Sequence, residues 1–378
     1  MPERQVKRKV KEMVSKKVNR VITFALTASL VIIMAMLVTG NEVYAKQKVM
    51  KSGDFRYTMD QKGSVTIKAY KGKSTKVEIP NAINNHMVRT IGRNAFKNKS
   101  FIKKVVLPYG LKTIDKSAFE ECYQMKTKLP DGLKTIRRGA FYSCENLGKI
   151  KLPASLKSIG DHAFYECGIK TVVIPNKVRK VGEYAFDSAE TLKLGKAYKA
   201  WNWKSFATDR NVLSLKKIKV NSKNKFFSVK KGVLYDKKKT HLVFANCAAD
   251  GKVSLPASVR VIDPDALTSC EVTALRLNDG LETISDHAFT EVEGIDTLSV
   301  PSTVNFLGRS SLCTSAEKLI LETRLLTKNS IRGCLKDSNI KTISVQVGSE
   351  SSNNKYIKKY KNIFTKKITK STNKLVFE

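Results

Sequence analysis

Apolar residues recur along this chain with a period of 22 or 23 residues. One unit, Leu129 to Lys151, reads LPDGLKTIRRGAFYSCENLGKIK. Its apolar places are Leu129, Leu133, Ile136, Ala140, Phe141, Cys144, Leu147 and Ile150, and the next unit repeats them as Leu152, Leu156, Ile159, Ala163, Phe164, Cys167, Ile169 and Val172. Two independent rulers agree on the period. Leu/Ile-Pro steps fall at Pro80, Pro108, Pro130, Pro153 and Pro175, then at Pro256 and Pro301. Ala-Phe steps place Phe96, Phe119, Phe141, Phe164 and Phe186 at intervals of 23, 22, 23 and 22, and Leu267, Phe289 and Leu312 continue the row.

A unit this short cannot enclose a core of its own. Stacked copies bury their apolar places against one another, so the pattern predicts a solenoid with one continuous core. The alternation around Ile150-Lys151-Leu152 predicts a short strand, ended by the following proline, which has no N–H for a ladder. The Leu-Lys-Thr-Ile stretch predicts a second extended segment, and Ala-Phe-x-x-Cys a turn of helix at most. The expected fold is a leucine-rich-repeat solenoid, a curved right-handed superhelix of short parallel β-strands with short helical turns, interrupted by one β-hairpin insertion.

The rhythm breaks between Pro175 and Pro256. Gly195 to Asn211 holds both tryptophans, Trp201 and Trp203, and Val229 to Ala245 reads as a hairpin with Asp236 to Thr240 as its turn. The tryptophans can form an exposed binding anchor or fill the hole left by the missing Leu-Pro step. At the N-terminus, eight Lys/Arg between Arg4 and Arg20 precede an uncharged run, Val21 to Val38, and then Val43-Tyr44-Ala45. That order is a secretory signal cleaved after Ala45, or an uncleaved anchor; either way the basic flank is expected in the cytoplasm and the remainder outside. The expected organisation is a signal at 1–45, an N-terminal β cap at 46–78, a first repeat block at 79–194, the irregular insertion at 195–254, a second block at 255–345 and a Lys-rich C-terminal cap or tail at 346–378.

The formal net charge is +37, which predicts attraction to polyanions and says nothing of fold. The period sorts the cations into columns. One expected outward column is Lys104, Lys126, Lys149, Thr171 and Lys193; a second is Val106, Lys128, Lys151 and Val173; a third, in the Leu-Lys-Thr-Ile segment, is Lys112, Lys134, Lys157 and Arg179. After the insertion the columns fade to Arg276 then Thr297, and to Arg260, Glu282 and Asn305. The candidate ligand site is this basic stripe. Its plainer alternative is lysine filling solvated positions. Cys122, Cys144, Cys167 and Cys270 all lie three residues after the Phe or Leu of the Ala-Phe step, which fits buried free thiols better than a disulfide or metal staple. His162 and His287 share one repeat place, expected to be exposed, with Asn94, Ser117, Gly139, Tyr184 and Asp265. No G-x-S-x-G, H-E-x-x-H, P-loop or G-x-G-x-x-G occurs. No catalytic residue, metal or cofactor is expected.

The units of LP-x-x-L-K-x-I-x-x-x-A-F-x-x-C resemble those of BspA-like leucine-rich repeat surface proteins of bacteria. The resemblance covers roughly residues 53–362, including an opening module from Phe55-Arg56-Tyr57 through Ile83-Asn84-Asn85-His86-Met87-Val88 and a Lys/Tyr-rich end, Asn353 to Lys367. It implies export, a curved solenoid of parallel strands, and a role in adhesion or cell-surface interaction, with no shared catalytic residues. The chain departs from common members in showing no wall-sorting tail or wall-binding repeats near Glu378. The expected partners are host or cell-wall macromolecules, anionic polymers or glycoproteins, with no specific nucleic acid and with membrane contact only through the N-terminal segment. The alternatives are a structural wall-associated protein held by charge without a specific partner, and a hydrolase with a site in the 195–250 insertion.

Overall fold

Thr-Ile dipeptides carry the longest ladder of the protein. The computed structural model describes residues 48–207, 215–245 and 251–378, so the signal segment with its cleavage site after Ala45, and Cys247, lie outside the described residues. Among these residues no helix is long and apolar enough to cross a membrane.

An antiparallel meander, Met50–Ser52, Phe55–Met59 and Val65–Tyr70, opens the stack. Its third strand lies parallel to His86–Ile91. Thr113–Ile114, Thr135–Ile136, Ser158–Ile159 and Lys180–Val181 then add one parallel rung each. The second residue of every rung, Ile91, Ile114, Ile136, Ile159 and Val181, is buried. Alternation thus sends the β-branched side chain inward while the first residue faces solvent.

The other ladder is discontinuous. Lys76–Glu78 pairs with Lys104–Val106, and Lys104 bridges to Lys126. It resumes only at Thr171–Ile174, Thr191–Leu194 and Lys217–Val220. The strand expected around Ile150-Lys151-Leu152 does not form. The coil takes a 3-10 turn at Glu145–Leu147 followed by Gly148 at φ 27°, which absorbs its extra residue.

The Ala-Phe part is a run of tandem turns and not a turn of helix. Asn94, Ser117, Gly139, His162 and Tyr184 hold φ between 54° and 59°, and four residues later Asn98, Glu121, Ser143 and Glu166 hold φ between 53° and 61°. These left-handed places alternate bonds within a coil, such as Ala118 N–H to Asp115 O, with bonds to the next coil, such as Phe119 N–H to Ala140 O. The turns therefore form a third hydrogen-bonded side of the stack and leave few buried backbone groups unpaired.

Inside, the phenylalanines stack as a column. Successive ring centroids from Tyr70 through Phe96, Phe119, Phe141, Phe164 and Phe186 are 5.4, 4.9, 5.4, 5.2 and 5.1 Å apart. Their planes lie within 20° of parallel, in the offset arrangement aromatic pairs favour. Beside it run the thiols. Cys122, Cys144 and Cys167 are free and buried. Each Sγ donates to the carbonyl of the phenylalanine one coil back, Phe96, Phe119 and Phe141, at 3.1, 3.0 and 2.9 Å. Burial pushes the Cys122 thiol up to about 12 and holds Cys144 and Cys167 well above the usual range. Cys270 departs from this column, because it is disulfide-bonded.

The insertion is a three-stranded meander and not a simple hairpin. Phe227–Lys230, Val233–Asp236 and His241–Ala245 pair antiparallel, and the last strand then runs parallel to Val261–Ile262. The Asp236 carboxylate closes the turn by accepting from the Thr240 and His241 N–H groups at 2.6 and 2.8 Å. Leu234, Val243 and Phe244 pack into the first core, whereas Val233, Tyr235, Leu242 and Ala245 pack into the second. The meander is a shared wall. Beyond it Thr283–Ile284 and Phe306–Leu307 continue one ladder, and Thr297–Val300, Lys318–Leu321 and Thr342–Val345 the other. Val376–Phe377 adds the last parallel strand, and the helix Glu350–Ile363 covers the end by burying Tyr360 and Ile363. Capping of this kind removes the open strand edge that a stack otherwise presents.

Candidate functional site

The ten residues of the candidate stripe fall on two separate ladders. Lys104, Lys126, Lys128, Lys149, Lys151 and Lys193 project from the discontinuous ladder and its connecting coils, and all six are exposed. Lys112, Lys134, Lys157 and Arg179 precede the Thr-Ile rungs. Consecutive members are joined through backbone bonds, with Lys134 N–H donating to Lys112 O, Lys157 N–H to Lys134 O and Arg179 N–H to Lys157 O. Lys134, Lys157 and Arg179 are exposed, while Lys112 is half-buried and reaches Gly132 O at 3.5 Å.

One register differs from the expected one. Thr171 pairs with Thr191, which pairs in turn with Lys217, and Val173 pairs with Lys193, which pairs in turn with Lys219. Lys193 thus belongs to the second column and not the first. The coil is shorter there: seven residues separate Phe164 from Thr171, but five separate Phe186 from Thr191. A two-residue deletion keeps the inward parity, so Leu192 and Leu194 stay buried.

None of the ten stripe cations pairs with a carboxylate among the described residues. Other cations do. Lys170 and Lys216 flank Glu190 at 2.9 and 3.2 Å, and their hydrogen bonds hold its carboxyl below the usual range. Lys341 pairs with Glu317 and Lys318 with Glu378. The asymmetry extends to whole blocks. Residues 79–194 carry 21 Lys/Arg against 10 Asp/Glu, net +11, whereas residues 255–345 carry 9 against 12, net −3. In the second block the column place of the stripe is occupied by Arg260 and Glu282, which pair at 3.6 Å.

The tryptophans form no exposed anchor. Trp203 is buried, and Trp201 is half-buried between Phe206 at 6.0 Å and Phe244 at 5.1 Å. Phe206 and Trp201 extend the ring column across the gap in the repeat and onto the meander. Tyr198, also buried, completes this filling.

The turn side holds a feature that the sequence columns missed. A groove of about 460 Å³ runs along the turns of four coils. Arg93, Lys116 and Arg138, 23 and 22 residues apart, form one wall. Tyr142, His162 and Tyr165 close one end. Tyr142 and Tyr165 stack at 5.1 Å and 15°, and His162 lies 5.5 Å from Tyr165. The Arg93/Lys116/Arg138 spacing was available in the sequence, but nothing there told which repeat places face a common groove. Among the described residues no three His, Cys, Asp or Glu side chains gather as metal ligands.

Comparison with known proteins places this architecture. The family model described as BspA type leucine rich repeat region, six copies, matches residues 66–193 and 240–369. Among solved structures, the pneumococcal vaccine antigen PcpA shares 17% identity with a TM-score of 0.51, covering 88% of this chain and 99% of that one. A leucine-rich repeat protein from Bacteroides ovatus shares 22% at a TM-score of 0.48, over 78% of this chain and 70% of that one. A leucine rich cell surface protein from Faecalibacterium prausnitzii shares 16% at 0.45, over 82% and 98%. No curated protein matches the chain. With its period, its stacked Ala-Phe turns and a family match over more than half its length, this chain belongs to the BspA-type leucine-rich repeat family.

Proposed function

We propose that this is an exported surface protein which binds host or cell-wall macromolecules, and that its first block takes hold of an extended polyanion along the cation columns. The observation that carries the proposal is the absence of ion-pair partners for all ten stripe residues among the described residues. Successive rungs lie about 4.8 Å apart, inside the Debye length of about 8 Å at physiological ionic strength. Neighbouring lysines therefore feel one another through the salt. A polymer carrying spaced negative charge relieves that repulsion and releases its own counter-ions. The secretory signal and the family support display outside the cell. The role is binding and not catalysis.

Reversing Lys126, Lys128, Lys149 and Lys151 to Glu tests this on immobilised heparin and on immobilised teichoic acid. The variant should elute at lower salt, with a shallower dependence of log affinity on log salt. Retention equal to that of the parent protein would remove the stripe from the binding surface. A second reading, a wall protein held by charge alone, is favoured by the cations outside the stripe, such as the 15 Lys/Arg against three Asp/Glu in residues 195–254. It predicts release from cells by salt wash, with no saturable binding to a defined glycan or glycoprotein at physiological salt.

A further inference from the structure

We infer that the turn-side groove between Arg93 and Tyr165 is a second binding site, for an acidic saccharide segment. It stands apart from the strand columns, because its residues come from the tandem turns.

The groove has a directional chemistry. Along one wall the same repeat place gives Arg93, Lys116 and Arg138, and then switches sign to Asp161 and Glu183 in the next two coils. The cation row ends where the aromatic wall begins. The floor follows the left-handed place, where Asn94 and Ser117 give way to Gly139. At Gly139 a Cβ would find no heavy atom closer than the Ser117 Oγ at 3.5 Å. The missing side chain leaves the floor open at the foot of the aromatic wall.

Glu120 also lines the groove. Lys97 Nζ holds it at 2.6 Å. Burial pushes its carboxyl up, but the hydrogen bonds from Lys97 and Ser117 outweigh that and keep it below the usual range, ionised. That carboxylate accepts hydroxyl donors, which a saccharide supplies along its length and a polyphosphate lacks. This favours a saccharide over a polyphosphate. Tyr142, half-buried and backed by the buried Tyr165, then offers an aromatic surface for a sugar ring, and the three cations receive its carboxylate or sulfate. A few convergent polar groups beside an aromatic surface are what small-ligand sites are made of. The second block lacks the combination. Its cation-wall place holds Pro264, Asp286 and Arg309, and its aromatic place holds Thr268, Thr290 and Cys313.

The test uses the full exported chain and labelled hexasaccharides of hyaluronan, heparin and maltose, with inorganic polyphosphate as a further probe. Tyr142→Ala and Arg138→Ala should each weaken binding of the anionic hexasaccharides about tenfold, as loss of a charge-assisted or stacking contact does. Gly139→Asn should do the same by filling the floor, in a conformation that Asn94 already adopts at the same place. Maltohexaose should bind at least about tenfold more weakly. Hyaluronan binding as well as heparin identifies the carboxylate as sufficient, and heparin alone identifies sulfate. In the Lys126/Lys128/Lys149/Lys151 reversal background Tyr142→Ala should still weaken hexasaccharide binding about tenfold, so failure of the stripe and failure of the groove are told apart. Unchanged affinity in both Tyr142→Ala and Gly139→Asn would overturn the site. Polyphosphate binding with equal affinity and equal sensitivity to Tyr142→Ala would overturn the saccharide assignment.

Discussion

Phe141 shows what one residue does in a stack. Its ring lies between Phe119 and Phe164 at 5.4 and 5.2 Å, nearly parallel to both. Phe141→Ala empties a fully buried place and should cost about 3–5 kcal/mol in urea unfolding. Phe141→Leu should cost about 1–1.5 kcal/mol, since Leu267 and Leu312 occupy the same place in the second block. Equal losses for the two variants would contradict the ring column. The thiols beside it add a pH dependence. The folded Cys122 thiol sits at about 12 against an unfolded value of 9.0. Folded protein therefore keeps the proton where unfolded chain has lost it, and this stability is complete below pH 9 and lost as pH rises toward 12. The upward shifts of Cys144 and Cys167 act in the same direction. A Cys122/Cys144/Cys167→Ala variant, which takes the alanine that Ala189 already supplies at this place in the next coil, should lose less stability between pH 9 and 11 than its parent. Identical slopes would show that the thiols do not titrate with unfolding.

At the scale of elements, the meander Phe227–Ala245 decides how the two blocks communicate. Its strands put Phe244 and Leu234 into one core and Tyr235 and Leu242 into the other. Both tryptophans sit on the first side, so their fluorescence reports that core. Phe244→Ala should lower the fluorescence midpoint in urea more than the circular-dichroism midpoint, because cooperativity in a repeat array depends on each interface. Coincident shifts would mean that the meander does not divide the cores. This is also where sequence reading lost resolution. The hairpin Val229–Ala245 was legible from its alternation and its Asp236 turn, but its third strand and its two-sided burial depend on contacts with residues far along the chain. The expected strand at Ile150-Lys151-Leu152 looked as good as its neighbours; the 3-10 turn before it sets it apart. The two left-handed places per coil were hidden for a different reason. Asn, Ser, His, Tyr, Glu and Asp all occupy them, so no glycine signature marks the turn.

For the whole molecule, the solenoid itself was legible because a period of 22 or 23 can be satisfied only by stacking. The row Lys112, Lys134, Lys157 and Arg179 was legible for the same reason, since equal coils turn a sequence interval into a column; Lys193 strayed from its column where two residues are missing between Phe186 and Thr191. The groove was not, because which repeat places share a concavity is set by how the turns fold. The outcome is a molecule of uneven charge, with a first block at +11 and a second block at −3. Polyanion binding should therefore be a property of one block and not of the surface at large. Amide hydrogen exchange of the chain, with and without saturating heparin at physiological salt, addresses this directly. Protection is expected in the coils from Lys104 to Lys193 and not in residues 255–345, where the ladder hydrogen bonds are of the same kind but the cations are fewer and outnumbered by carboxylates. Protection spread evenly over both blocks, or confined to the second, would contradict a binding face built by the first block's columns.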